Sequence, residues 1–200
     1  MPRTIFTPSI TSRPVYAALL SQGAAPALMV ADAEGAEALI ALAESDPATL
    51  DAAHVIYIPA GALHGRRLAA LGPRLYHEAP SFAAALPRLR KALLDAQMGL
   101  QVYLAGTEGL IGRATAEALA AGLPAEAIQA EHRGSLVRRM QCVHCKGVTE
   151  DVATDPFACA HCGLTLFVRD HYSRRLGAFQ GVCVDAETPG VLPASREIRP

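Results

Sequence analysis

The sequence predicts an α/β domain on a small parallel sheet, followed by a four-cysteine metal ribbon of the rubredoxin or zinc-ribbon type. Two observations carry this prediction. The first two thirds of the 200-residue chain alternate short apolar runs with alanine-rich helical stretches, and all 5 cysteines lie between Cys142 and Cys183. Strands that alternate with helices are typical of a parallel sheet covered by helices on both faces.

The composition indicates a folded chain without a general attraction to polyanions. Hydrophobic residues make up 51% and charged residues 18%, which is enough for a core and too little charge for a disordered chain. The formal net charge is −1, so neither nucleic acid nor anionic lipid is favoured as a partner. No apolar run reaches the roughly 20 residues that cross a bilayer, and residues 1–8 lack the apolar core of a signal peptide. We therefore expect a cytoplasmic chain that does not bind membranes.

The first α/β elements follow from apolar spacing. A strand is predicted over 27–31 and a helix over 36–44, where apolar residues recur at helical spacing. The clearest strand covers 54–59, because this run is β-branched and aromatic and is closed by a proline. A weaker strand is predicted over 73–77.

Two later helices carry start and stop residues. Ser81 is a candidate N-cap for a helix over 81–97, and Pro87 is expected to shift or kink the start of that helix. A strand is predicted over 100–105. Thr107 then caps a helix that Gly122 ends, with a proline following.

The metal ribbon is predicted from two C-x2-C pairs, formed by Cys142, Cys145, Cys159 and Cys162. A reducing cytosol disfavours disulfides, so this pattern indicates a metal site. Two residues between thiolates make a tight knuckle, and two knuckles that face each other make a tetrahedron. Gly147 and Gly163 follow the knuckles, where the turn needs a positive φ or a close backbone approach.

Four thiolates fit zinc and a single iron equally well, and zinc is favoured because it is the commoner occupant of such ribbons. No coordination position stays open, so no hydrolytic centre is expected. Part of the thiolate charge is expected to be offset by Arg138, Arg139 and Lys146. His144 and His161 are expected to face solvent or a partner, and Cys183 is expected to be a core residue of a strand.

The segment 27–131 resembles the nicotinamide-binding domain of ferredoxin-reductase-type flavoenzymes. Residues 101–131 are similar to the last strand–helix–strand of that domain, and the run from Ala27 is similar to its first strand and phosphate-binding turn. Ala105 and Thr107 replace the Cys and Pro of the family's Cys-Gly-Pro motif.

The phosphate-binding turn departs from that family. A glycine-rich cradle normally lets the backbone approach the pyrophosphate, whereas this turn carries three carboxylates, those of Asp32, Glu34 and Glu37. We therefore expect a reductase-like fold that serves as a scaffold, with no catalytic residue and no nucleotide-binding residue.

The whole chain resembles the small accessory subunit of bacterial dimethylamine monooxygenase, most specifically in the runs 142–149 and 170–187. The resemblance implies a multi-subunit, NADPH-dependent enzyme that oxidatively demethylates dimethylamine to methylamine and formaldehyde. Haem, flavin and iron–sulfur centres would lie on the larger catalytic and reductase subunits, which are the expected partners. This chain would act in assembly, with electron relay through its four-cysteine site as a further expectation.

These features divide the chain into four parts. An N-terminal extension covers 1–26, a degenerate reductase-like domain covers 27–133, the metal ribbon covers 138–187, and a tail covers 188–200. The tail is rich in proline and polar residues and is expected to be mobile or bound to a partner. A linker is expected over 131–137.

Two alternatives remain open beside the accessory subunit. One is a zinc ribbon that binds nucleic acid or protein without a redox role; its basic residues share the segment with five acids, which weakens affinity for phosphate. The other is a free-standing reductase, for which the flavin domain is missing. A candidate partner surface is predicted near the second knuckle, where aromatic residues including Phe179 accompany arginines, since Arg and Tyr are enriched at interfaces; its residues are Tyr172, Arg174 and Arg175.

Overall fold

A computed structural model describes residues 8, 10–61 and 63–199, so most of the segment examined for a signal peptide lies outside the described residues. The first part of the chain forms a five-stranded sheet with the order β3-β2-β1-β4-β5. All of its neighbouring strands are parallel. The strands are β1 (Ala27–Asp32), β2 (Ala53–Ile58), β3 (Leu75–Glu78), β4 (Gln101–Gly106) and β5 (Ile128–His132). This is a doubly wound α/β order, and it confirms the predicted fold class.

Helices cover both faces of the parallel sheet. They are α1 (Gly35–Ser45), α2 (Gly65–Ala70), α3 (Phe82–Leu94) and α4 (Glu108–Ala120). Successive strand residues point to opposite faces, so Leu28 packs with α3 and α4 while Met29 packs with α1 and α2. No pattern predicted α2, because a helix of 6 residues is too short to show a period. None of the described helices has the length and apolar character needed to cross a membrane.

The predicted caps are present. Ser81 Oγ accepts a hydrogen bond from Ala84 N at 3.2 Å at the start of α3. Thr107 Oγ1 accepts one from Leu110 N at 3.2 Å at the start of α4. Gly122 follows α4 with φ +90°, the left-handed conformation that ends a helix.

The ribbon is a second, mixed sheet with the order β7-β6-β11-β10-β9. In this sheet β6 and β11 are parallel and the other neighbours are antiparallel. A small core of Met140, Phe157, Leu166 and Phe179 lies beneath it, and Cys183 packs against that core half-buried. The strands of this part are β6 (Arg138–Cys142), β7 (Val148–Val152), β8 (Thr154–Asp155), β9 (Phe157–Ala158), β10 (Thr165–Ser173), β11 (Ala178–Cys183) and β12 (Arg196–Glu197).

The predicted N-terminal extension is an ordered segment over residues 10–26, which we call the strap. It contacts both parts of the chain. The Tyr16 hydroxyl donates to Glu108 Oε1 on α4 at 3.2 Å, and Arg13 Nη1 donates to Asp170 Oδ1 on β10 at 2.6 Å. The strap therefore connects the α/β sheet to the ribbon sheet.

The end of the tail, which is expected to be mobile or bound to a partner, lies on the ribbon. There β12 pairs with β8, and Ile198 N donates to Ala153 O at 2.9 Å. The expected linker starts too early, because Glu131 and His132 belong to β5 and are buried. The connection between β5 and β6 is the shorter stretch 133–137.

Candidate functional site

The four cysteines of the two knuckles meet at one end of the ribbon sheet. Their Sγ atoms all lie within 4.8 Å of one another. The distance is 3.9 Å between Cys142 Sγ and Cys162 Sγ, and 3.7 Å between Cys145 Sγ and Cys159 Sγ. Metal–sulfur bonds of about 2.3 Å give a tetrahedron with edges of about 3.8 Å. The arrangement therefore fits a tetrahedral metal ion.

The two knuckles share one backbone design. Lys146 N donates to Cys142 O at 3.0 Å, and Gly163 N donates to Cys159 O at 3.0 Å. The residue after the second cysteine is left-handed in both, with φ +64° at Lys146 and +74° at Gly163. The positive φ predicted for Gly163 is present, and the first knuckle places the same conformation on a lysine.

Gly147 meets the other predicted condition, a close approach. A Cβ built there would lie 2.5 Å from ring atoms of His161, whose Nε2 lies 2.8 Å from Val148 O. Gly147 N also donates to Cys145 Sγ at 3.4 Å. The His161 ring therefore fixes one knuckle against the other without contacting the sulfurs as a ligand.

The sulfurs differ in exposure and acidity. Cys142 and Cys159 are buried, whereas Cys145 and Cys162 reach the surface. Burial raises the pKa of the Cys159 thiol, but backbone N–H groups of Cys162 and His161, together with hydrogen bonds to the thiols of Cys162 and Cys145, outweigh that effect and lower the pKa to about 6. The thiolate is the form of cysteine that binds a metal.

Two of the cations that were expected to offset the thiolate charge bind oxygen atoms elsewhere. Lys146 Nζ donates to Val143 O at 2.6 Å, and Arg139 Nε donates to Glu150 Oε1 at 2.8 Å. Arg138 does not offset the thiolates as expected, because its buried guanidinium pairs with Asp170 and Glu108 in the contact between α4 and the ribbon.

That contact holds a buried charge cluster that no sequence pattern indicated. Arg138 Nη1 donates to Asp170 Oδ1 at 2.9 Å, and Arg138 Nε lies 3.5 Å from Glu108 Oε2. Burial raises the pKa of the Glu108 carboxyl, although Arg138 and Arg13 oppose that shift. The cluster joins the strap, α4 and the ribbon.

The crevice where a doubly wound sheet would bind a nucleotide lies at the carboxyl ends of β1 and β4. Here the Asp32 carboxylate accepts hydrogen bonds from Thr107 N at 2.8 Å and from Thr107 Oγ1 at 2.7 Å. Burial raises the pKa of this carboxyl, and the bonds from Thr107 oppose part of the shift. The Asp32 carboxylate therefore spans the crevice between the ends of β1 and β4.

Two more carboxylates lie at the mouth of the crevice. Glu34 Oε2 is 3.1 Å from His64 Nε2, and ligand atoms of Glu34, Glu37 and His64 lie within 4.8 Å of one another. His64 comes from the loop before α2, which sequence reasoning did not connect with this turn. All three predicted carboxylates thus lie near the place of a phosphate.

The predicted partner surface is only partly exposed. Arg174 and Arg175 lie exposed in the turn between β10 and β11. Tyr172 is half-buried, and its ring centroid is 4.8 Å from that of Phe179. Phe179 is 1% exposed, so the expectation that it belongs to this surface is wrong.

Comparison with known proteins agrees with this two-part structure. Residues 8–128 match the family described as dimethylamine monooxygenase subunit DmmA-like, N-terminal domain, and residues 139–182 match the C-terminal domain of the same description. The chain is 40% identical over 116 residues to the heme-dependent oxidative N-demethylase delta subunit of Ectopseudomonas mendocina (strain ymp). That match covers 57% of this chain and 66% of the relative's length. No solved structure matches the chain. Since the two family matches cover most of its length, the chain belongs to the dimethylamine monooxygenase subunit DmmA-like family.

Proposed function

We propose that this chain is an accessory subunit of a multi-subunit, NADPH-dependent monooxygenase that oxidatively demethylates dimethylamine to methylamine and formaldehyde. Family membership and the relative named as a demethylase delta subunit support this proposal. Haem, flavin and iron–sulfur centres would lie on larger catalytic and reductase subunits. The chain itself would act in the cytoplasm by assembling the complex.

The observation that carries the accessory role is the crevice closed by Asp32 and Thr107. A reductase-like fold would act there by binding the pyrophosphate of NADPH at the start of α1. The Asp32 carboxylate instead takes the hydrogen bonds of Thr107, and Glu34 adds a second negative charge at the mouth. Like charges a few ångströms apart cost several kcal/mol, on the order of 4 kcal/mol at 4 Å near a protein surface. We therefore assign NADPH binding to a partner subunit.

We also propose that the four-cysteine site holds one metal ion, with zinc favoured over iron, through Cys142, Cys145, Cys159 and Cys162. Bound zinc supplies a cross-link between the knuckles, whereas iron in the same tetrahedron would add one-electron redox chemistry. The role of this chain's own residues is to present thiolates at fixed distances and to hold the ribbon in the shape that partners contact.

Electron relay is a second candidate function, and one observation favours it. Cys145 and Cys162 reach the surface, so this edge of the site is open to a partner that carries a redox centre.

A nucleic-acid-binding ribbon is less well supported. Several of the arginines that would contact phosphate pair with acids of the same chain, as in Arg133–Glu131 at 2.6 Å and Arg139–Glu150 at 2.8 Å.

The test is to purify the complex with and without this chain and to measure NADPH-dependent formaldehyde release from dimethylamine. We expect the complex without the chain to fall apart or lose turnover. We expect the chain alone to give no calorimetric heat with millimolar NADPH. Micromolar NADPH binding by the chain would contradict the accessory role. Metal analysis and a visible spectrum separate the two metals, because a red protein with sulfur-to-iron charge-transfer bands would favour relay.

A further inference from the structure

An apolar groove of about 400 Å³ lies where the strap, α4, β5 and the turn after β10 meet. It is distinct from the metal site and from the closed crevice. The wall is formed by the strap, the floor by α4 and β5, and one end by the ribbon. Its main side chains are Val15, Leu20, Ile111, Leu119, Ile128 and Tyr172.

The strap leaves two large aliphatic side chains exposed along the groove. Val15 is 64% exposed and Leu20 is 67% exposed, although Tyr16 and Leu19 beside them are buried. Gln129 holds the strap here, because its side chain accepts from Leu20 N at 2.8 Å and donates to Leu20 O at 2.9 Å. The strap thus stays ordered while its apolar side chains remain open to a partner.

Arg174 closes one end of the groove. Arg174 is the only charged residue among the described residues that line the groove, and its side chain is exposed. Within the described chain Arg174 makes no hydrogen bond or ion pair, whereas Arg133, Arg138 and Arg139 are all paired with carboxylates. An apolar groove that ends at a guanidinium is complementary to an apolar segment that carries a carboxylate.

We propose that this groove receives a segment of a larger subunit, which inserts aliphatic or aromatic side chains between the strap and α4 and pairs a carboxylate with Arg174. The proposal rests on the accessory-subunit function. A second copy of this chain fits less well. A two-fold contact through the same face would bring Arg174 near its own copy and supply no carboxylate from the groove lining.

The test compares two charge reversals in one turn of the full chain. Arg174→Glu removes the cation of the groove, whereas Arg175→Glu changes a neighbouring exposed arginine that does not line it. We expect Arg174→Glu to raise the Kd for the co-expressed larger subunits by at least about tenfold, and Arg175→Glu to stay within about twofold. Equal effects of the two variants would overturn the proposal. Unchanged metal content and thermal stability show that both variants fold.

A photo-cross-linking residue at Thr115, which lines the groove on α4, gives an independent result in the purified complex. We expect it to capture a peptide of a larger subunit that contains apolar residues next to Asp or Glu. Capture of a second copy of this chain, or of no polypeptide, would overturn the groove assignment. If the wild-type chain binds none of the larger subunits, the accessory function itself fails. If it binds but neither Arg174→Glu nor the cross-linker detects the groove, only the groove proposal fails.

Discussion

Gly112 of α4 and Gly177 of the turn before β11 touch backbone to backbone. A Cβ built on Gly112 would lie 2.6 Å from Gly177 O and 2.8 Å from the Tyr172 hydroxyl oxygen. Gly177 has φ +59° and no room for a side chain of its own, because Gly112 backbone atoms occupy that space. The ribbon therefore packs closely on α4 because neither of these two residues has a side chain.

This contact predicts that glycine-to-alanine substitutions at two positions of α4 change the free energy of unfolding in opposite directions. Gly112→Ala should lower the free energy of unfolding by about 1–3 kcal/mol, because the methyl group overlaps the ribbon turn. Gly109→Ala should raise it by about 0.5–1 kcal/mol, because Gly109 has only ordinary contacts and alanine favours a helix. Urea unfolding measures both. A stabilised Gly112→Ala variant would show that the ribbon does not pack on α4 in solution.

The four-cysteine site predicts a difference between two cysteine variants. Cys159→Ser should lose the metal and unfold the ribbon, because a module of this size depends on metal binding for much of its folding free energy. Cys183→Ser is the matched control, since Cys183 Sγ donates a hydrogen bond to Asp185 Oδ1 at 3.2 Å and lies outside the sulfur cluster.

Metal analysis and hydrogen exchange of these two variants give the result. We expect fast exchange over the ribbon and unchanged protection over the parallel sheet in Cys159→Ser. One metal ion per chain in that variant would count against the site.

Replacing Lys146 with glycine should stabilise the first knuckle. A non-glycine residue in the left-handed region costs about 1–2 kcal/mol, and the equivalent residue of the other knuckle is already Gly163. Lys146→Gly should therefore tighten zinc binding by about fivefold, the equivalent of about 1 kcal/mol. Competition with a chromophoric chelator measures it. Lys146→Ala removes the same side chain but keeps the Cβ, so an equal gain in that variant would refute the backbone explanation.

The buried His132 predicts that the stability of the folded protein depends on pH. Burial lowers the pKa of this imidazole, and Arg13 adds to the shift, while the bond to Ser135 O opposes it. The folded protein therefore binds the proton less well than the unfolded chain, whose histidines titrate near pH 6.5. Stability contributed by the neutral ring is complete above about pH 6.5 and is lost as the pH falls towards the lower folded pKa.

The difference between wild type and His132→Phe isolates this contribution, because phenylalanine keeps a ring against Tyr16, whose centroid lies 5.9 Å away. We expect the wild type to lose stability relative to the variant as the pH falls below 6.5. Parallel curves for wild type and His132→Phe would contradict the assignment.

Local features of the sequence were sufficient to predict much of this structure. Ser81 and Thr107 were readable as caps because a cap acts over three residues, and the two C-x2-C pairs were readable because their spacing is itself the geometry of a knuckle. The cluster of Glu108, Arg138 and Asp170 was not readable. Charged side chains are normally exposed, and pairing between distant parts of a chain leaves no periodic signal.

The strap has a consequence for how the chain responds to proteolysis. The strap belongs by covalent connection to the α/β half, yet Arg13 reaches Asp170 in the ribbon half. A single cut in the stretch 133–137 would therefore leave two polypeptides that still share buried ion pairs. Such a nicked protein should elute as one particle in gel filtration and separate into two bands only after denaturation, so an intact elution volume is no proof of an intact chain.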